Sequence, residues 1–175
     1  MTPIQQDVIN AIRDIPDFPK KGIIFKDITT LLARGDLFRR VVDEIADHYS
    51  SKKIDMIVGI ESRGFIFGAA LAYKLGAGIV PVRKKGKLPH KTIAVTYALE
   101  YGTDTLEIHA DALEGKKHVL IVDDLLATGG TAKATAELVQ KCGGHIEGCA
   151  FVVELAFLKG RQNMNGHEIY SLIQY

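Results

Sequence analysis

Asp123 and Asp124 stand just ahead of the string Leu125-Leu126-Ala127-Thr128-Gly129-Gly130-Thr131. A glycine-rich loop that opens a helix offers unpaired backbone N–H groups to an anion, and the helix dipole has the matching sign. Gly129 and Gly130 let the backbone approach a phosphate with no Cβ in the way. Thr128 and Thr131 add hydroxyl donors. Two carboxylates suit vicinal hydroxyls better than they suit a phosphate. The stretch therefore predicts a ligand with a phosphate at one end and a sugar diol beside it, as in a ribose 5-phosphate. The chain has no GxxxxGKS or GxxxxGKT loop. It also lacks a GxGxxG string with an acidic residue about 20 positions on, so both common nucleotide fingerprints are missing.

Three other places carry chemistry-bearing residues. Glu61-Ser62-Arg63-Gly64 forms a turn between a strand pattern and a helix pattern. Arg83, Lys84, Lys85, Gly86 and Lys87 form a basic cluster after a strand, and Arg and Lys pair with phosphoryl oxygens. Gly22-Ile23-Ile24-Phe25 is an apolar run inside a Pro- and Gly-broken stretch. It reads either as a strand edge or as a base-binding hood, in which Phe25 stacks on a planar ring while backbone groups near Ile24 read its edge.

The elements that position these residues follow from periodicity. Val119 to Val122 is a short β-branched run, read as a strand buried on both faces, with the two carboxylates at its carboxyl end. Residues 125–130 are expected as loop and Thr131 to about Lys141 as helix, stopped by Gly143 and Gly144. Residues 54–60, 65–75 and 79–82 read strand, helix, strand. This βαβ unit implies a parallel sheet, whose ligands lie beyond the carboxyl ends of the strands. That rule places Glu61 to Gly64 beside Asp123 to Thr131. Residues 3 to about 13 and 36 to about 51 read as amphipathic helices, 92–109 as a hairpin, and 146–155 and 170–175 as strands. Residues 162–166 read as a polar loop.

The 175 residues suit one α/β domain. A net charge of +1 argues against a dedicated nucleic-acid binder. Cys142 and Cys149 form no CxxC, and the six histidines show no HxxxH, so buried reduced thiols and no histidine-built metal site are expected. No apolar run approaches membrane-spanning length and no signal-type stretch opens the chain, so a cytoplasmic location with no membrane partner is expected.

Several strings taken together carry a resemblance. VLIVDDLLATGGT resembles the phosphoribosyl pyrophosphate (PRPP) signature of the type I phosphoribosyltransferases. GIESRGFIFG resembles the family's pyrophosphate loop, VRKKGKLP its basic clamp and ALEYGTDTLEIH its mobile lid. FPKKGIIFKDIT and ELAFLKGR are similar to the segments of its adenine-using members that enclose the base. The resemblance implies a twisted, mainly parallel α/β sheet flanked by helices, with a small hood (about 15–34 and the C-terminal segment) and a β-hairpin lid (about 92–109). It implies Mg-dependent transfer of a phosphoribosyl group from PRPP to adenine, giving AMP and pyrophosphate.

The site residues follow by position. Asp123, Asp124, Ala127, Thr128, Gly129, Gly130 and Thr131 would hold ribose and 5-phosphate. Glu61, Ser62, Arg63, Arg83, Lys84, Lys87 and Tyr101 would hold pyrophosphate. Ile24, Phe25, Lys26, Arg63 and Leu158 would bind adenine. Glu100 would move a proton at the base, as donor or acceptor. Magnesium would ride on pyrophosphate oxygens without dedicated protein ligands, and a homodimer is implied. An enzyme for a 6-oxopurine and a non-catalytic PRPP sensor stay open as alternatives.

Overall fold

The computed structural model describes all residues except 99–101, 116–117 and 165. It divides into two compact units, Met1–Glu44 and Ile45–Tyr175.

In the first unit, α1 (Pro3–Ala11) opens on a complete capping box. Thr2 accepts from the Gln5 backbone N–H, Gln5 reaches back to the Thr2 N–H, and Pro3 fills the first helical turn. The helix ends earlier than its periodicity suggests, because Arg13 to Pro16 leave it to form β1 (Arg13–Pro16). That strand pairs antiparallel with β2 (Ile24–Asp27). Of the two readings of the run around Ile24, the strand is the one the backbone adopts: residues 13–27 form a hairpin, followed by the short α2 (Thr29–Leu32). The boundary between the units falls within α3 (Gly35–His48).

The second unit is built on one seven-stranded sheet. Its strands are β3 (Met56–Ile60), β4 (Gly78–Lys84), β5 (Thr92–Ala98), β6 (Thr103–His109), β7 (His118–Leu126), β8 (His145–Glu154) and β9 (Ile169–Gln174). The order is β5-β6-β4-β3-β7-β8-β9. Strands β4, β3, β7, β8 and β9 run parallel, and the β5–β6 hairpin joins antiparallel through β6 on β4. Val119, Leu120, Ile121 and Val122 are each at most 1% exposed, as a strand covered on both faces requires. Helix α4 (Gly64–Leu75) packs on β3, β4 and β7, and α5 (Gly130–Lys141) packs on β5 to β8.

Two boundaries differ from the sequence reading, with consequences for the site. Strand β7 runs on to Leu126, because β8 continues beside it and pairs Leu125 with Val153 and Leu126 with Glu154. The carboxylates therefore sit inside a hydrogen-bonded strand, not at its end, and the loop shrinks to residues 127–129. Strand β4 likewise extends through Lys84, because Arg83 and Lys84 pair with Glu107 and Leu106 of β6. Two clamp cations thus project from sheet backbone, not from a solvated loop.

Candidate active site

The loop from β7 into α5 has Gly129 as the N-cap of the helix. Its φ of +83° is a left-handed conformation that favours glycine, and no side chain caps the helix. The N–H groups of the first turn are thereby left facing a cavity of about 80 Å³, lined by Asp123 and residues 125–132. Thr131 Oγ lies 3.3 Å from the Tyr97 hydroxyl of β5, and Thr128 is exposed.

Asp123 and Asp124 are not equivalent. Asp123 lines the cavity, and its Oδ1 accepts the Asp124 backbone N–H at 2.9 Å. Asp124 is 3% exposed, and its Oδ2 lies 2.9 Å from Arg63 Nε as an ion pair outside hydrogen-bond geometry. Burial pushes both carboxyls above the usual carboxylate range. The Asp124 charge pushes Asp123 further in the same direction, while Arg63 partly offsets the effect on Asp124.

Arg63 is the N-cap of α4, in the turn after β3. Strands β3 and β7 are parallel neighbours, with Gly59 opposite Val122, so the two turns lie side by side, as the strand-end rule predicts. The Arg63–Asp124 pair ties them together. The Glu61–Ser62 peptide in this turn is cis.

The basic clamp is already partnered. Glu61 receives Lys87 Nζ in an ion pair, accepts the Lys84 backbone N–H at 2.9 Å, and stands 3.4 Å from Arg83 Nε. Burial would raise the Glu61 carboxyl, yet these three contacts hold it below its usual value. Lys84 Nζ pairs with Asp104 at 3.2 Å, and Arg83 Nη1 donates to the Lys87 carbonyl at 3.2 Å. Lys84 and Lys87 remain about half exposed. The Glu61 side chain behind Lys87 and Arg83 is itself only 9% exposed, so drawing those cations away leaves a largely buried carboxylate to be paired again or solvated.

The hairpin of the first unit carries the expected base-contacting residues. Ile24 and Phe25 lie on β2, and the Phe25 ring meets Phe18 edge-on at 5.2 Å. Lys26 points its ammonium at Asp14, 2.7 Å away, so its side chain serves the hairpin. Ile23, Ile24 and Phe18 are exposed apolar residues. The sequence reading did not single out Phe18, although its place beside Pro16 and Pro19 was visible.

In the second unit, Leu158 is 39% exposed on a 3-10 turn, Ala156–Leu158. A second 3-10 turn, Gly160–Met164, follows it where a polar loop was expected. Arg161 of that turn makes a fork onto Glu154 at 2.7, 2.9 and 2.7 Å. Asn163 donates to the Thr128 carbonyl at 2.6 Å. Sequence reasoning missed the Asn163 contact, because nothing in residues 162–166 marks it as touching the loop after β7; Arg161 stood in the quoted ELAFLKGR string, but its pairing with Glu154 was not read from it. Glu100 and Tyr101 lie outside the described residues.

Comparison with known proteins agrees with this geometry. Residues 26–166 match the phosphoribosyl transferase domain model. An adenine phosphoribosyltransferase of Syntrophotalea carbinolica is 63% identical over 97% of this chain and 99% of its own length. The crystal structure of the adenine phosphoribosyltransferase of Thermoanaerobacter pseudethanolicus superposes with a TM-score of 0.94 at 53% identity, covering 98% of this chain and 99% of that one. The Saccharomyces cerevisiae adenine phosphoribosyltransferase, solved with an imino-altritol bisphosphate and adenine, gives a TM-score of 0.93 at 41% identity, over 99% of this chain and 100% of that one. The chain belongs to the phosphoribosyltransferase family, and these relatives within it are adenine phosphoribosyltransferases.

Proposed function

We propose that this enzyme transfers the 5-phosphoribosyl group of PRPP to adenine, giving AMP and pyrophosphate. The observation that carries the reading is the pairing of two anion-binding turns across β3 and β7, joined by Arg63 and Asp124. PRPP has two phosphorylated ends separated by a ribose diol. The cavity at the start of α5 suits the 5-phosphate, Asp123 suits the diol, and the Glu61–Gly64 turn with Arg83, Lys84 and Lys87 suits the pyrophosphate. Adenine is assigned to Ile24 and Phe25 with the Lys26 backbone, to Leu158 and to Arg63. The relatives' shared name and the adenine held by the yeast structure support that base.

In the reaction, the C–N bond forms at adenine N9 and the ribose C1–O bond breaks. Pyrophosphate leaves with that electron pair, and the purine gives up one proton. Positive charge develops on the ribose ring, where an anionic Asp123 stabilises it. Glu100 is assigned to proton movement at the base and Tyr101 to the pyrophosphate side. Closure of a lid over the site keeps water from the cationic sugar. Oxygen donors such as the Asp123 carboxylate suit magnesium. Carried on the substrate's pyrophosphate oxygens, the ion would neutralise part of the leaving group's charge.

A homodimer belongs to the same proposal. Helix α4 is almost wholly apolar, with Lys74 its one charged residue, yet it leaves Ile66 42% and Tyr73 91% exposed, and Ile79 of β4 is 42% exposed as well. A helix apolar all round is one meant to be covered. Tyr73→Lys is expected to shift the protein from dimer to monomer in sedimentation velocity, and an unchanged dimer overturns this placement. The two free cysteines suit a reducing cytoplasm.

The reaction is tested by chromatography of products from adenine, PRPP and magnesium. AMP and pyrophosphate in equal amounts are expected, with loss of both on chelation of the metal. Tight PRPP binding without any AMP would point to the non-catalytic sensor.

A further inference from the structure

The phosphate loop and the turn that carries Leu158 are locked together in a way that the proposed reaction does not require. A Cβ on Gly160 would run into the Ala127 carbonyl, and one on Gly129 would run into the Gly160 carbonyl. The two backbones are thus in direct contact, with no room for a side chain. Asn163, three residues on, reaches back with its amide to the Thr128 carbonyl at 2.6 Å. The Leu155 N–H donates to the Leu126 carbonyl at 2.9 Å, closing the same contact from the other side. Behind it, the fork of Arg161 on buried Glu154 fixes the segment to the end of β8.

We propose that Asn163 is a positioning residue for the 5-phosphate loop, and that Gly160 makes this loop and the Leu158 turn one bracket. The inference rests on the proposed reaction. The loop is short and its helix has no side-chain cap. Its carbonyls must point away from the phosphate so that its N–H groups point toward it. The Asn163 amide holds the Thr128 carbonyl outward, and the Gly160 backbone stops residues 127–129 from relaxing. Asn163 touches neither substrate in this account; it acts through Thr128.

The test uses the full-length enzyme with Asn163→Ala and with Asn163→Asp, which keeps the shape but removes the donor. Gln162→Ala, an exposed neighbour on the same turn, is the control. Steady-state kinetics are read against PRPP and adenine separately, with calorimetric binding of ribose 5-phosphate as a second readout. Both Asn163 variants are expected to raise KM for PRPP and Kd for ribose 5-phosphate about tenfold, the loss of one hydrogen bond in the bound state. KM for adenine at saturating PRPP is expected to stay within about twofold. Wild-type values for PRPP and ribose 5-phosphate in both variants overturn the positioning role. An equal rise in both KM values also overturns it and makes Asn163 a general structural residue. Wild-type enzyme that binds ribose 5-phosphate but forms no AMP overturns the proposed reaction instead, and the binding readout still decides Asn163.

Discussion

Arg161→Met removes the guanidinium that neutralises Glu154. The carboxylate is 3% exposed and accepts from Arg161 Nε and Nη2, Ser171 Oγ at 2.7 Å and Gln174 Nε2 at 3.2 Å. The variant leaves a buried negative charge with two neutral donors. Breaking a buried pair on one side costs about 3–5 kcal/mol. Arg161 is itself 41% exposed, so water reaches its side of the pair and the lower end applies, about 3 kcal/mol. A chain of this length loses roughly 2–4 °C of Tm per kcal/mol, so a fall of about 6–12 °C is expected.

The pH dependence carries a sign. Burial would raise the Glu154 carboxyl, but Arg161, Ser171 and Gln174 hold it below its usual value. A lowered carboxyl contributes stability that is present at neutral pH and lost as pH falls through its folded-state value. Without Arg161 the burial effect prevails, so protonation relieves the variant. The gap between wild type and variant should therefore narrow as pH falls from about 7 to about 4. Circular dichroism melts across that range measure it, and Glu154→Gln combined with Arg161→Met should recover part of the loss. A fall below about 2 °C at neutral pH, or a gap that widens toward acid, refutes the reasoning.

Other outcomes follow from the same site. Gly129→Ala places a methyl against the Gly160 carbonyl at a positive φ, so PRPP affinity should fall at least about tenfold in calorimetry while the far-ultraviolet spectrum is kept. Asp124→Asn removes a carboxyl whose charged form is penalised by burial. Stability lost by wild type as pH rises through the raised folded value is not lost by the variant. Its Tm should gain on wild type from about pH 4 to pH 8 while turnover drops, a trade of stability against function. Cys149 is fully buried, with its thiol pushed up to about 12, so a thiol reagent at pH 8 should label it only after unfolding.

What could be read in the chain beforehand follows from how local each signal is. Val119 to Val122, Gly129-Gly130 and the Glu61–Gly64 turn each declare themselves within a few residues, and the βαβ rule alone puts the two turns side by side. Strand ends were less legible. Leu125 and Leu126 look like loop until β8 is known to continue beside them, and Arg83 and Lys84 look like a solvated cluster until β6 supplies partners. The Asn163 and Arg161 contacts depend on residues 35 and 7 positions away, and no periodicity encodes them. The state of the clamp was hidden for the same reason. Glu61, expected on the pyrophosphate side, holds Arg83, Lys84 and Lys87 in this structure, and none of those contacts is encoded locally.

The most direct measurement is kcat/KM for adenine and for hypoxanthine at saturating PRPP and magnesium, by pyrophosphate release. Hypoxanthine reverses the donor and acceptor pattern at positions 1 and 6, so a site built for adenine leaves buried polar groups unpaired with it. Adenine is expected to be preferred at least about a hundredfold. Equal or greater turnover of hypoxanthine would leave the phosphate sites standing and contradict the assignment of the base.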